Sequence, residues 1–223
     1  MSDPLLPFKV VCFGDSLTLG YLSPTRHSPF PEHVAYGVYL QEWIVTRGHV
    51  LVHGVCGETT QDMRVRFHAD VLEHLPHVAI ILGGTNDLGL GIPPAAIMEN
   101  LQFFYEQAHA HGMVPVAVTV PSLREDNWLS DDVDRGVPTS RLSPAIEQAI
   151  ARRVTLNQSI KDVGRERRIP VIDWFAETCE PNTKALALEY SNDGLHLTTA
   201  GYRKLAEMIW EHVLADLLKR QID

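Results

Sequence analysis

The sequence predicts a three-layer α/β/α sandwich built on a five-stranded parallel sheet. Short apolar runs that end at glycine or at a polar turn alternate five times with longer segments that carry helix start and stop signals. Such runs are typical of parallel strands, because the helical crossovers between parallel strands cover both faces of the sheet. A chain of 223 residues suits one α/β domain, and we expect a single domain over residues 1–223.

The strands are predicted from β-branched and apolar composition and from the turns that bound each run. They cover residues 8–13, 49–53, 77–82, 113–120 and 169–173. Right-handed crossovers then place helices on both faces, as in doubly wound flavodoxin-like folds.

The helices are predicted from glycine and proline punctuation at their ends. They cover residues 32–47, 60–75, 93–109, 141–167 and 198–218. We expect the last helix to pack on the sheet, because its apolar residues recur at helical spacing.

Composition excludes several classes of protein. The formal net charge of −9 argues against nucleic-acid binding, which needs a cationic surface. No apolar stretch reaches 18 residues, so no transmembrane helix is predicted. Three cysteines (Cys12, Cys56 and Cys179) cannot all pair within one chain, which favours reduced thiols and a cytoplasmic location. The eleven histidines form no HExxH motif and no Cys/His cluster, so we predict no metal site.

Polar motifs follow the carboxyl ends of four predicted strands. They are GDS at 14–16, GVCGET at 54–59, GGTND at 83–87 and NDGLH at 192–196. Each motif alone has a structural explanation as a turn or a helix cap. Because ligands of such folds bind at this edge, we expect the motifs to meet in one site. The residues expected there are Ser16, Gly57, Asn86, Asp193 and His196.

Three of these side chains fit nucleophilic catalysis. A serine hydroxyl becomes a nucleophile when a neighbouring base takes its proton, and His196 can serve Ser16 in this way. Asp193 lies three residues before the histidine, and a turn at Gly194 brings its carboxylate to the ring. A carboxylate in that place fixes the imidazole tautomer and stabilises the imidazolium.

The remaining residues fit an oxyanion hole. Its donors are expected to be the backbone N–H groups of Ser16 and Gly57 and the side-chain amide of Asn86. We attribute the glycine to close approach of its backbone, since it has no Cβ.

Four blocks in this order resemble those of the SGNH hydrolases, also called the GDSL lipase/esterase family. The blocks are FGDSLTLGY, GET, GGTND and DGLHLTTAGY, and they span residues 13–202. The resemblance implies the α/β/α fold and hydrolysis without a metal or an organic cofactor. It assigns Ser16 as nucleophile and first oxyanion donor, Gly57 and Asn86 as the other donors, and Asp193 and His196 as the rest of the triad.

The second block departs from the family pattern. Val52 and Cys56 stand where an asparagine and a serine are common. We interpret Cys56 as a small buried apolar residue. Asp15 is expected to be structural, accepting turn N–H groups or bonding Thr85 or Asn86.

The predicted function is hydrolysis of neutral, short-chain carboxylic esters through an acyl-enzyme on Ser16. Residues 121–140 are expected to border the site, and their carboxylates disfavour anionic substrates. Lysophospholipase, thioesterase and carbohydrate acetylesterase activities are alternatives within the family. A flavodoxin-like binding module is the non-enzymatic alternative, which explains the fold but not the convergence of polar groups. The sequence does not indicate an oligomeric state.

Overall fold

The computed structural model describes residues 7–25, 28–125 and 142–220. Its strands are β1 (Phe8–Gly14), β2 (Tyr21–Leu22), β3 (Glu32–His33), β4 (Gly48–Gly54), β5 (Val78–Leu82), β6 (Val114–Val118) and β7 (Val171–Ile172). Five parallel strands form the main sheet in the order β4-β1-β5-β6-β7, and β2 pairs with β3 in a separate antiparallel sheet. The predicted five-stranded parallel sheet is confirmed, with the strand order of flavodoxin-like folds.

Helices connect and cover these strands. They are α1 (Ser16–Leu19), α2 (Tyr36–Ile44), α3 (Thr60–Asp70), α4 (Thr85–Gly89), α5 (Pro94–Ala110), α6 (Pro144–Arg167), α7 (Trp174–Thr178), α8 (Thr199–Ile209) and α9 (Ala215–Arg220). Single turns of 3₁₀-helix cover Val45–Arg47, Leu72–His74 and Leu188–Tyr190, and a π-helical turn over Trp210–Leu214 joins α8 to α9.

The sheet separates two hydrophobic cores. Val10 and Cys12 of β1 pack into one core, which also holds side chains of α2 and α8. Val11 and Phe13 of the same strand pack into the other, with side chains of α3, α5 and α6. Alternate residues of a buried strand therefore serve opposite layers, which explains why the strands are continuous apolar runs.

The predicted start of the first long helix, at residue 32, is wrong. Glu32 and His33 are extended and pair with Tyr21 and Leu22, and α2 begins only at Tyr36. The backbone N–H of the next residue, Val34, also bonds the carbonyl of Gly20. These tertiary hydrogen bonds keep the segment extended, and sequence periodicity does not reveal them.

The last predicted helix is longer and less regular than expected. It widens into a π-helical turn at 210–214 and continues to Arg220. Leu205, Ile209 and Val213 lie in the core on one face of the sheet, so the predicted packing is confirmed. The short helices α1, α4 and α7 escape prediction because four or five residues carry no readable helical period.

A buried aspartate joins α4 to the start of α3. Asp87 accepts hydrogen bonds from the backbone N–H of Thr60 at 2.9 Å and from its hydroxyl at 2.6 Å. Asp87 is almost fully buried. The carboxylate therefore satisfies a free N–H at a helix start, in addition to the capping box formed by Thr59 and Asp62.

Asp87→Ala is expected to lower the free energy of unfolding by about 3 kcal/mol, because it leaves two buried donors of Thr60 without an acceptor. Urea denaturation measures the change. The control is Asp162→Ala on α6, whose carboxylate is half exposed, and a surface change of this kind stays within about 0.5 kcal/mol. Equal losses in the two variants would contradict the assigned role of Asp87.

Candidate active site

Ser16 lies where β1 ends and α1 begins. Asp15 is the N-cap of α1 and accepts the backbone N–H of Leu17 at 2.9 Å. This short turn presents Ser16 at the carboxyl edge of the sheet, with 6% of the residue exposed. Ser16 is the first residue of α1 and not its cap, so the alternative explanation of this serine as a helix cap is wrong.

The structure places Ser16 beside the pair formed by His196 and Asp193, although the serine lies far from both in sequence. Ser16 Oγ lies 3.3 Å from His196 Nε2, across a separation of 180 residues. The other ring nitrogen, Nδ1, lies 2.7 Å from Asp193 Oδ2. With a proton on Nδ1, the ring donates to the carboxylate, and Nε2 is free to accept the serine proton.

The turn that carries Asp193 and His196 is fixed by its own hydrogen bonds. Asp193 Oδ1 accepts the backbone N–H groups of Leu195 at 2.8 Å and His196 at 2.7 Å. Gly194 has φ +78°, the left-handed conformation that glycine adopts readily. Ser191 Oγ donates to the carbonyl of His196 and accepts the N–H of Gly194. The predicted tight turn at Gly194 is confirmed.

Two residues from the β2 segment complete the surroundings of the histidine. Ser23 donates its hydroxyl proton to Asp193 Oδ2. The ring of Tyr21 lies against the His196 ring, with centroids 4.5 Å apart, and Tyr202 holds the Tyr21 backbone by donating to its carbonyl. No sequence motif indicates a role for Ser23, because its contact with Asp193 arises only from the tertiary position of β2.

These contacts keep Asp193 ionised. Burial raises the pKa of the Asp193 carboxyl, but hydrogen bonds from His196, Ser23 and Leu195 outweigh burial and hold that pKa well below its usual range. A permanently charged carboxylate beside Nδ1 favours the protonated form of the ring when the ring takes a proton from Ser16.

Gly57 and Asn86 lie beside each other on the next loops of the same edge. Asn86 Nδ2 donates to the carbonyl of Glu58 at 2.8 Å, which ties the loop after β4 to α4. Gly57 has φ +81°, a left-handed conformation that favours glycine, and a Cβ built there would meet no atom of the described residues within 4 Å apart from its chain neighbours. The backbone conformation accounts for the glycine, and the expected close approach of its backbone to an oxyanion stays a prediction.

Arg66 holds the strand ends from which these loops leave. Its guanidinium donates to the carbonyl of Gly14 at 2.7 Å and to that of His53 at 3.1 Å. It also pairs with Glu58 and Asp70, at 2.6 and 2.7 Å. One partly buried cation thus fixes the ends of β1 and β4, a role that no motif in the sequence predicts.

Of two expectations about neighbouring residues, the structure corrects the one for Cys56 and confirms the one for Asp15. Cys56 is exposed, so its interpretation as a buried apolar residue is wrong. Asp15 accepts a turn N–H as expected, but it bonds neither Thr85 nor Asn86, and its Oδ2 has no partner among the described residues. Burial raises the pKa of Asp15 to about 7. All three cysteines are free thiols, and the cytoplasmic location inferred from them stays a prediction.

A cleft of about 280 Å³ opens at this edge. Its walls include Gly57, Asn86 and Leu195, the neighbour of His196, together with Leu90 and Arg153. The residues at 126–140 that were expected to border the site lie outside the described residues.

None of the helices in the described ranges has both the length and the apolar character that crossing a membrane requires. Within the same ranges, no group of three or more His, Cys, Asp or Glu side chains is placed to hold a metal ion.

The sheet is doubly wound, and a serine, an imidazole and a carboxylate lie in hydrogen-bond contact at its carboxyl edge. This arrangement is typical of a serine hydrolase. The chain belongs to the GDSL-like lipase/acylhydrolase family, whose sequence model matches residues 12–204. The predicted resemblance is confirmed. Membership of a hydrolase family also decides against the alternative of a non-enzymatic binding module, which the fold alone leaves open.

Known proteins resemble the chain in sequence and in structure. The uncharacterized lipoprotein YqeF of Bacillus subtilis (strain 168) is 34% identical over 131 residues, covering 53% of this chain and 50% of that protein. The chain thus spans about half the length of this curated relative. A GDSL-like lipase from Bacteroides thetaiotaomicron shares the fold with a TM-score of 0.71 at 20% identity, over 95% of this chain and 88% of that chain. A lipase/acylhydrolase from Enterococcus faecalis gives a TM-score of 0.68 at 26% identity, over 96% of each chain.

Asp15→Asn is expected to change the pH dependence of stability. The pKa of Asp15 is raised from 3.8 to about 7 in the folded protein. Between these pH values the folded protein therefore binds more protons than the unfolded chain. The contribution of Asp15 to the free energy of unfolding consequently falls as the pH rises through this window. The asparagine does not titrate. The free energy of unfolding of the variant, minus that of the wild type, should therefore rise by about 2 kcal/mol from pH 5 to pH 8.

Urea denaturation at the two pH values measures this difference, and the titrations common to both proteins cancel. A difference that stays constant, or falls, between pH 5 and pH 8 would show that Asp15 is not a buried carboxyl with a raised pKa.

Proposed function

We propose that the protein hydrolyses carboxylic esters through an acyl-enzyme on Ser16, with His196 as general base and Asp193 as its partner. The observation that carries the proposal is the unbroken chain of contacts from Ser16 Oγ through the His196 ring to Asp193. A serine with such a base attacks acyl carbonyls, whereas a serine that only caps a helix needs no imidazole.

In the first half of the reaction, His196 Nε2 takes the Ser16 proton as Oγ attacks the ester carbonyl carbon. The 3.3 Å separation of the two atoms shortens as substrate binds, as such contacts do in other enzymes. The carbonyl π electrons move to oxygen and form a tetrahedral oxyanion. The intermediate then collapses, the ester C–O bond breaks, and His196 returns the proton to the leaving alcohol oxygen.

The oxyanion is stabilised by donors that the fold holds ready. They are the backbone N–H groups of Ser16 and Gly57 and one amide proton of Asn86, whose other proton bonds the Glu58 carbonyl. Because these dipoles are fixed before the reaction, little reorganisation opposes the charge that develops.

In the second half, water replaces the alcohol. His196 takes a proton from the water, whose oxygen attacks the acyl-enzyme carbonyl, and then protonates Ser16 Oγ as the carboxylic acid leaves. The same donors stabilise the second oxyanion, so that one site serves both halves of the reaction.

The size of the cleft supports small esters. Its volume of about 280 Å³ lies just below the range for ligand pockets, about 300–1,000 Å³. Short acyl chains therefore fit the described walls better than long ones. The expectation of a neutral substrate depends on carboxylates at 126–134, which lie outside the described residues.

Ser16→Ala is expected to lower kcat on a short 4-nitrophenyl ester by at least about 10³-fold, because the variant cannot form the acyl-enzyme. Cys56→Ala is the matched control. It removes the exposed thiol of the residue that directly precedes Gly57, and it should keep kcat within about 3-fold of the wild-type value. Release of nitrophenolate measures both rates. A folded Ser16→Ala protein with substantial turnover, or a Cys56→Ala protein without it, would contradict the assignment of the nucleophile.

Asn86→Ala is expected to lower kcat by about 10²–10³-fold with a smaller change in KM, because its amide acts on the transition state. The same ester assay gives both constants, and thermal unfolding reports whether loss of the bond to Glu58 disturbs the fold. If KM rises while kcat is unchanged, Asn86 binds the substrate and is not an oxyanion donor.

A further inference from the structure

Arg153 of α6 is a buried cation on the wall of the active-site cleft. Only 4% of the residue is exposed, although it lines the same cleft as Gly57, Asn86 and Leu195. The reaction as described gives it no role, because the triad and the oxyanion donors are complete without it.

The guanidinium lacks the partners that a buried arginine normally has. Its Nε has no hydrogen-bond partner among the described residues, and Nη1 reaches only the Ala149 carbonyl at 3.4 Å. No carboxylate of the described chain pairs with it, and the neighbouring charge is another cation, Arg152. Burial and then Arg152 lower the pKa of Arg153 to about 10, so it remains charged at neutral pH.

Arg152 shows the contrast on the same helix. Its guanidinium donates to the carbonyls of Leu88 and Ile92, at 3.2 and 2.8 Å, and so holds the segment that follows α4. Arg152 thus has a structural function that accounts for its position. Arg153 makes no comparable structural hydrogen bonds with the described residues. A buried charge without such compensation lowers the free energy of unfolding.

We propose that Arg153 binds a carboxylate carried by the substrate, so that the enzyme prefers esters with this group to neutral esters of the same shape. The planar guanidinium offers parallel N–H donors that match the two oxygens of a carboxylate. Arg153 lines the same cleft of about 280 Å³ as Gly57 and Asn86, so a substrate held in this cleft can contact all three residues.

The preference for esters with a carboxylate comes from contacts inside the cleft and not from the net charge of the protein. The formal net charge of −9 gives an anion no attraction at long range, but surface charges are screened beyond about 8 Å at physiological ionic strength. Within the cleft, the interaction is set by Arg153, a cation that pairs with no carboxylate in the part of the chain that the structure describes. The inference depends on the proposed function, because it places the carboxylate subsite beside the ester that Ser16 attacks.

The test compares esters that differ only by carboxylate in place of methyl. Monomethyl succinate, glutarate and adipate are paired with methyl butanoate, pentanoate and hexanoate for the acyl side. For the alcohol side, 3-acetoxypropanoate is paired with propyl acetate. We expect the charged member of at least one pair to have a kcat/KM about 10- to 100-fold higher in the wild type, and the responding series shows which part of the substrate carries the group.

Arg153→Met removes the charge and keeps the length of the stem. It should abolish the preference and leave kcat/KM for the neutral esters within about 3-fold of the wild-type value. Arg165→Met is the control, because it removes a largely exposed arginine from the same helix and should keep the preference. Binding of glutarate, measured by calorimetry without turnover, should weaken by about 10-fold or more in Arg153→Met only.

The outcomes separate this inference from the proposed function. Wild-type enzyme that cleaves both members of every pair equally well overturns the carboxylate subsite and leaves ester hydrolysis intact. Equal losses on charged and neutral esters in Arg153→Met also overturn it, because they indicate a structural role. If the wild type cleaves no ester, the proposed function fails, and glutarate binding still decides whether Arg153 holds a carboxylate.

Discussion

The contact between His196 Nδ1 and Asp193 Oδ2, at 2.7 Å, is the interaction on which the rest of the site depends. It sets the tautomer that leaves Nε2 facing Ser16 Oγ, and the contact of that Nε2 with Ser16 joins the turn before α8 to the end of β1. Asp193 stays ionised and can accept the proton of Nδ1, because hydrogen bonds from its own turn and from Ser23 outweigh the cost of burying its charge. Without them, a carboxylate in this place would protonate more readily and would support the imidazolium less.

The surrounding structure keeps that contact at the edge of the sheet. Arg66 fixes the ends of β1 and β4, Asp87 fixes the start of α3, and Asn86 links the loop after β4 to α4. Each is a charged or amide side chain bonded to backbone groups that the regular ladders leave free. Polar residues near the site thus have two kinds of function: a few face the cleft, and the others hold the loops that carry them.

The sequence predicts the fold and the main site residues, but not the residues that act through tertiary contacts. The strands and the layers follow from apolar runs such as β5 (Val78–Leu82), and the meeting of Ser16 with His196 follows from parallel strands ending at one edge. The roles of Ser23, Arg66 and Arg153 depend on tertiary contacts that have no periodic signal. The exposure of Cys56 was mispredicted for the same reason. The single domain over 1–223 and the catalytic roles themselves stay predictions.

A crystal structure of the protein after reaction with a small phosphonate ester is the most direct test of Ser16 as the nucleophile. We expect phosphorus bonded to Ser16 Oγ and a phosphonyl oxygen about 3 Å from the backbone nitrogens of Ser16 and Gly57 and from Asn86 Nδ2. His196 would remain hydrogen-bonded to Asp193. An adduct on another residue, or a phosphonyl oxygen turned away from these donors, would contradict this expectation.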